Sequence, residues 1–329
     1  MIGLFKQKSP ANLVVLLIFG VLIKMPYLLH PQVVQAAPTD GLLYPSMHAA
    51  LGNGNGALYT GALTAFLLLY GQAMMINYAV NEHRLTAKHS FLPAMAYLLI
   101  TSLMPEWNYF SPPLLASTLI IWAILRLFRV YNVASIKSTV FNIGLILGLS
   151  ALIYFPAAAF LLLLLLGILI LRPFRVNELV LLALGAITPF YFFAVYLFLS
   201  DRLTVANIFP SIYFDVPNVQ QSLRLAIAAV FLVLPFIIGA FHIQNHLRKM
   251  LIQVRKNWSI VLIWLLLALL IPFVNSRDDW HNWVLAMPAF AAFHAAAYLY
   301  PTKKWVPLLL FWGTVAWVLA LQYGNMPIR

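Results

Sequence analysis

One stretch constrains this chain more than any other, because no polar side chain occurs from Ala157 to Leu171. The run stops abruptly at Arg172, and Arg175 follows three residues later. A run this apolar is typical of a helix in lipid, and short cytoplasmic loops of membrane proteins carry an excess of Lys and Arg. The stretch therefore predicts a membrane helix that ends at the cytoplasmic surface.

The composition extends this interpretation to most of the chain. Hydrophobic residues make up 63% of it and charged residues only 9%, whereas soluble domains are about 25% charged. An ionised side chain costs roughly 2.5–3.5 kcal/mol at the centre of a membrane helix. The Lys and Arg residues that give the net charge of +12 lie between the apolar segments. They therefore indicate membrane anchoring rather than nucleic-acid binding. The absence of cysteine excludes disulfides, iron–sulfur clusters and thiol catalysis.

The apolar segments predict an all-α fold, a polytopic transmembrane helical bundle of about eleven spans in a single domain, residues 1–329. The N-terminus is expected to lie in the cytoplasm. The predicted spans are Asn12–Leu29, Leu58–Val80, Phe91–Met104, Leu114–Phe128, Val140–Tyr154, Ala157–Leu171, Leu179–Leu199, Leu223–Phe241, Trp258–Val274, Trp283–Leu299 and Val306–Leu321.

The charges support this orientation. In the eleven-span topology, 15 of the 20 Lys and Arg residues are cytoplasmic and six of the eight acids are outside, in accord with the positive-inside rule. The stretch 140–171 is broken at Pro156, and it is too long for one helix across a core of roughly 30 Å and short for two. Two spans are favoured because the basic residues at both ends then lie on the same side.

The first outer loop contains a candidate catalytic residue, Asp40, together with Tyr44 and His48. A loop carboxylate beside apolar helices can act as a general base if burial raises its pKa. The alternative is a solvated aspartate that starts a turn at Asp40-Gly41. We therefore predict Asp40 as the catalytic residue and His48 as a substrate-binding residue.

A second outer loop combines Arg277, Asp278 and His281 with tryptophans. An arginine beside lipid suits a lipid-linked phosphate, which a guanidinium holds with two hydrogen bonds. The alternative is an interfacial, salt-bridged turn in the aromatic belt. Lys24, near the outer end of the first span, either extends to the headgroups or pairs with Asp40 or a phosphate.

Two further outer residues complete the predicted binding set. Glu106 stands beside Trp107 and Tyr109 in a proline-flanked turn, and a carboxylate next to aromatic rings is typical of sugar binding as well as of a plain turn. Arg202 supplies a cation in the loop after the seventh span. The eight histidines do not converge in this topology, so no metal site and no cofactor are predicted. Nucleotide-binding and common hydrolase motifs are also absent.

Several short motifs resemble those of a family of bacterial integral membrane proteins that is common in Bacteroidota and has no assigned activity. The motifs are the Lys-x-Lys-Ser-Pro-Ala-Asn run at 6–12, Leu-Met-Pro-Glu at 103–106, Tyr-Phe-Pro at 154–156 and Leu-Arg-Pro-Phe at 171–174. More loosely, the layout is similar to GT-C glycosyltransferases, multi-pass enzymes that use polyprenyl-phosphate sugars and carry an acid in the first outer loop. Asp40 occupies that place, although the usual acidic pair and a large soluble C-terminal domain are missing.

These observations favour a GT-C-like glycosyltransferase or a related handler of lipid-linked sugar at the outer face of the inner membrane. Its expected partners are membrane lipids and a polyprenyl-phosphate-linked sugar. A non-catalytic subunit or scaffold of an envelope-assembly system is the first alternative, because no compact catalytic motif is present. Transport of a lipid or small solute is the second alternative.

Overall fold

The computed structural model describes residues 2–7, 9–32, 41–50, 55–133, 135–204, 208, 223–274 and 280–323. These residues form helices and loops without a β-strand among them, which confirms the all-α prediction. In chain order the helices are α1 Ile2–Phe5, α2 Ala11–Leu29, α3 Tyr44–Ala49, α4 Asn55–Glu82, α5 Leu92–Ile100, α6 Pro112–Phe128, α7 Lys137–Ile153, α8 Phe160–Leu171, α9 Val176–Leu199, α10 Leu223–His246, α11 Ile252–Leu270, α12 Met287–Leu299 and α13 Trp305–Tyr323.

Within the described residues, six helices are long and apolar enough to cross a membrane, as an integral, multi-pass membrane protein requires. They are α2, α4, α9, α10, α11 and α13. Three further apolar helices are shorter and cover 112–128, 137–153 and 155–171. Because α5 and α12 have only 9 and 13 residues, the count of eleven spans stays a prediction, as does the cytoplasmic N-terminus.

Two short helices, α5 and α12, lie at the centre of the bundle. All residues of α5 are buried, and every residue of α12 is buried except Leu299 at its end. The two helices pack against each other, while α4 contacts α5 and α10 contacts α12 from outside. A helix that is apolar on every face is stable only where other helices cover it, which explains why these two segments occupy the core.

Hydrogen bonds tie several loops together at one end of the bundle, which we call the basic end: the loops 83–91, 129–133, 172–175, 247–251 and 300–304. Trp258 Nε1 donates to the Leu85 carbonyl at 2.9 Å. The Ala87 amide donates to the Tyr300 hydroxyl at 3.1 Å. These contacts bring the loop after α4 against the start of α11 and the end of α12.

The opposite end is built from four short 3-10 turns, Pro105–Asn108, Phe155–Ala159, Ile271–Phe273 and His281–Ala286, which we call the turn layer. The first contacts the fourth, the third contacts the fourth, and the second contacts the third. Pro105, Pro156 and Pro272 each stand at the first or second position of a turn. Proline lacks an amide donor and fixes φ, so it ends the preceding helix and starts a new turn.

The chain reverses between α7 and α8 at the end that carries the turn layer. There the Gly41 amide donates to the Ile153 carbonyl at 2.9 Å, and the Leu43 amide donates to the Leu152 carbonyl at 3.2 Å. A Cβ atom at Gly41 would lie 2.2 Å from the Leu152 carbonyl oxygen, so this contact requires glycine. The chain thus forms two successive helices between 137 and 171, and the crossing of a membrane by each of them stays a prediction.

Glycines allow α7 and α9 to approach closely. A Cβ at Gly144 would lie 2.2 Å from the Leu182 carbonyl oxygen, and one at Gly185 would lie 2.2 Å from the Phe141 carbonyl oxygen. In lipid, where burial of apolar surface drives helix association little, such small residues promote contact between helices. The pair α7 and α9 is therefore held by backbone proximity.

Candidate functional site

A buried lysine stands beside the turn layer. Lys24 is 2% exposed, and its ammonium donates hydrogen bonds to Thr101 Oγ1 at 2.9 Å, to Ser102 Oγ at 3.1 Å and to Asn108 Oδ1. An ammonium has three N–H donors, so all three are used. No carboxylate of the described residues lies within 4.0 Å of it. The ammonium points into the bundle, and the interpretation that it extends to the headgroups is wrong.

The two hydroxyl groups are oriented to accept from this ammonium. Thr101 Oγ1 donates its own proton to the Tyr97 carbonyl at 2.8 Å, and Ser102 Oγ donates to the Leu98 carbonyl at 2.9 Å. Their lone pairs are then available to the ammonium. Both residues directly follow α5, whose C-terminal end carries a partial negative charge that favours a cation.

Asn108 connects the ammonium to the end of α5. Its side-chain amide donates to the Thr101 carbonyl at 2.8 Å and to the Met104 carbonyl at 2.9 Å, while its oxygen accepts from Lys24. Carbonyls at a helix end have no partner within the helix and need one when they are buried. Asn108 therefore supplies hydrogen-bond partners to the backbone carbonyls of Thr101 and Met104 and to the buried ammonium of Lys24.

The turn Pro105–Asn108 also carries Glu106, which forms an ion pair with Arg224 of α10. One guanidinium nitrogen of Arg224 stands 3.3 Å and 3.1 Å from the two carboxylate oxygens of Glu106. The side chains are 22% and 25% exposed, so solvent reaches both groups. Exposed ion pairs contribute only about 0–1 kcal/mol to stability, and this pair therefore fixes the position of the guanidinium more than it stabilises the fold.

Two tyrosines adjoin the ion pair. The rings of Tyr27 and Tyr109 meet edge to face with centroids 6.0 Å apart. Burial raises the pKa of the Tyr109 phenol to about 12, and the negative charge of Glu106 acts in the same direction. The phenol accordingly stays protonated at neutral pH and remains a hydrogen-bond donor.

The fourth turn of the layer begins at His281, which is 8% exposed. Immediately before it, the Trp280 carbonyl accepts a hydrogen bond of 2.7 Å from Trp107 Nε1. The Trp280 and Trp283 rings lie 6.0 Å apart. The Trp107–Trp280 hydrogen bond joins the first and fourth turns, although these two residues are 173 positions apart in the chain.

The predicted site residues divide into three groups. Lys24, Glu106 and His281 lie together at the end that carries the turn layer. Arg202 is exposed in the loop after α9. Outside the described residues lie Asp40, Arg277, Asp278 and the side chain of His48, so the predicted proximity of Asp40 to Arg277 stays a prediction.

Sequence reasoning missed four polar residues of this site: Thr101, Ser102, Asn108 and Arg224. The sequence could have indicated Thr101, Ser102 and Asn108, because a lysine inside an apolar helix needs buried hydrogen-bond acceptors. A Thr-Ser pair that directly follows an apolar run is a candidate for such acceptors. The sequence could also have indicated Arg224, because it is one of the five Lys and Arg residues that the predicted topology does not place in the cytoplasm. Neither signal indicates which partner each residue finds.

Comparison of the chain with protein-family models, with curated proteins and with solved structures finds no match. The helices define the class as an integral, multi-pass membrane protein. The particular function must therefore be argued from the residues of the site.

Proposed function

We propose that this membrane protein handles a polyprenyl-phosphate-linked sugar at the end that carries the turn layer and acts as a GT-C-like glycosyltransferase. The observation that supports this proposal is the convergence of Lys24, Glu106 and His281 with Arg224 on one polar, aromatic-lined end of an otherwise apolar bundle. Charged groups inside a membrane protein are expensive, and they usually mark a functional site.

Each part of the substrate has a matching group in this proposal. The Asp40 carboxylate takes the proton of the acceptor hydroxyl as a general base. The acceptor oxygen bonds to the anomeric carbon of the sugar as the bond from that carbon to the donor phosphate breaks. Arginine side chains bind the departing polyprenyl phosphate and stabilise its charge. Arg277 and Arg202 were predicted for this role, and Arg224 joins them because Glu106 holds its guanidinium at a partly exposed position.

The turn layer suits this chemistry for a physical reason. Its turns are short and partly buried, and the Trp107–Trp280 hydrogen bond connects two of them. Rigid supports hold catalytic groups in place better than long loops do. Tyr109 and Trp107 place aromatic rings beside a carboxylate, the combination that favours sugar binding.

The test uses wild-type protein in liposomes with a radiolabelled polyprenyl-phosphate sugar. We expect Asp40→Asn to abolish transfer while membrane yield and donor binding stay unchanged. We expect Arg224→Gln to weaken donor binding about tenfold or more, the usual effect of losing a hydrogen bond to a charged group.

The matched control is Asp201→Asn, which neutralises an exposed acid in the loop after α9. This variant should transfer sugar like the wild type. Full transfer by Asp40→Asn would refute the catalytic role of Asp40. Equal effects of the two aspartate variants would show that only the total charge of this end matters.

A non-catalytic membrane subunit is the second candidate, and α9 favours it. Only 17% of its most apolar window is buried, and four aromatic side chains on it are more than 60% exposed: Tyr191, Phe192, Tyr196 and Phe198. A partner helix could cover this surface as readily as lipid. In that case a partner would co-purify in mild detergent, and neutral substitutions at Asp40 and Arg224 would be tolerated.

A further inference from the structure

A cavity at the basic end lies far along the bundle from the turn layer and has no role in the proposed reaction. It has a volume of about 420 Å³ and is lined by residues of five segments: the loop after α4, the end of α10, the turn Leu247–Lys249, the start of α11 and Tyr300. Its lining includes Arg84, His89, His246, Lys249, Leu251 and Tyr300.

The walls of this cavity are fixed by specific contacts. The Tyr300 hydroxyl accepts a hydrogen bond from the Ala87 amide at 3.1 Å. The Tyr300 ring stacks on the His246 ring with centroids 4.9 Å apart. His246 Nδ1 is 2.7 Å from the His242 carbonyl oxygen, to which it donates. Three elements of the bundle thus meet at one aromatic wall.

Cationic side chains surround the opening. Arg84 and Lys249 are exposed, and neither has a carboxylate within 4.0 Å among the described residues. His89 and His246 complete the polar lining. The start of α11 adds to this field, because Leu251 precedes its first turn without any side-chain cap and the free amides of a helix start favour an anion.

The same cavity also has an apolar side. Met250, Leu251 and Val254 line it, and Leu251 is 65% exposed. Ile252, the next residue, is 58% exposed. The lining therefore combines cations with apolar residues where α10 and α11 meet, two helices that are long and apolar enough to cross a membrane.

We propose that this cavity binds the headgroup of an anionic phospholipid, with Arg84 and Lys249 on the phosphate and the first acyl carbons against Leu251. The charge complementarity identifies the anion, and the exposed apolar rim identifies an amphiphile rather than a soluble phosphate. Basic pockets between membrane helices bind such headgroups on physical grounds, because each Lys or Arg near the surface attracts an anionic lipid.

The test measures the thermal unfolding midpoint and the number of bound lipids by native mass spectrometry, on protein purified in a neutral detergent. Phosphatidylglycerol, phosphatidylcholine and glycerol phosphate are added separately. We expect phosphatidylglycerol alone to raise the midpoint and to remain bound. The double variant Arg84→Gln/Lys249→Gln should bind it about 30-fold more weakly, roughly fivefold for each cation.

The control is Lys137→Gln/Lys304→Gln, which removes the same charge from exposed residues that do not line the cavity. It should bind phosphatidylglycerol like the wild type. Equal weakening in both double variants would overturn the site, because only net charge would then matter. An equal effect of phosphatidylcholine would overturn the choice of an anion, and an equal effect of glycerol phosphate would overturn the choice of a lipid.

Discussion

At Lys24 the bundle buries an ammonium group with neutral oxygen atoms around it. Taking an unpaired charge out of water is expensive. Three hydrogen bonds from the ammonium and the negative end of the α5 dipole offset this cost. Asn108 is the critical partner, because it alone contacts both the Lys24 ammonium and the backbone carbonyls of Thr101 and Met104.

The first prediction concerns this asparagine. Asn108→Leu keeps the volume but removes three hydrogen bonds, and each buried group left without a partner costs about 1–3 kcal/mol. We expect the free energy of unfolding to fall by at least about 2 kcal/mol. Denaturant unfolding in detergent measures this change.

A double variant separates this explanation from a loss of shape. Lys24→Met removes the ammonium that Asn108→Leu leaves without its acceptor, so the combined loss should be smaller than the sum of the single losses by about 1 kcal/mol or more. Additive losses would mean that the two side chains do not interact.

At this scale the sequence indicates which residues matter but not their partners. Lys24 and Glu106 are conspicuous because each is a charge in or beside an apolar run. Their partners, Asn108 and Arg224, lie 84 and 118 positions away, and no local pattern connects them. Long-range pairing of this kind depends on how the helices pack, which periodicity does not determine.

At the scale of helices, close approach of backbones holds α7 against α9. Gly144 and Gly185 face each other's helix with no room for a Cβ atom. The helices of this pair are therefore sensitive to added atoms at the contact and insensitive to them elsewhere.

The second prediction compares two glycines. Gly144→Ala places a methyl group 2.2 Å from a backbone oxygen of α9, and such overpacking costs about 1–3 kcal/mol. Gly71→Ala in α4 meets no atom within 4 Å, and alanine is about 1 kcal/mol better than glycine inside a helix. We expect the thermal midpoint to fall in the first variant and to stay or rise in the second. A lower thermal midpoint in both variants would show that helix flexibility, rather than the contact between α7 and α9, determines the effect of these substitutions.

Element positions follow closely from the sequence where apolar runs are long, as in α2 and α9. They follow less closely at α5, where the predicted span Phe91–Met104 contains a helix of only 9 residues. The remainder of that segment turns at Thr101 and Ser102, which bind Lys24. A hydrophobicity pattern cannot distinguish a helix from a buried turn when both are apolar.

At the scale of the whole molecule, the bundle has two chemically different ends. One carries the turn layer, with its aromatic side chains, a buried lysine and an ion pair. The other carries most of the cations and the cavity proposed to bind an anionic lipid. The positive-inside rule assigns the basic end to the cytoplasm, and both functional proposals depend on that assignment.

Single cysteines at four exposed positions test this assignment most directly, because the natural chain has no cysteine. The variants are Gln32→Cys, Lys137→Cys, Arg175→Cys and Leu203→Cys, and the reagent is a membrane-impermeant maleimide added to spheroplasts. We expect labelling of the variants at 32 and 203 in intact spheroplasts, and of those at 137 and 175 only after the membrane is opened. Labelling at 137 or 175 in intact spheroplasts would contradict the two-ended orientation on which the account rests.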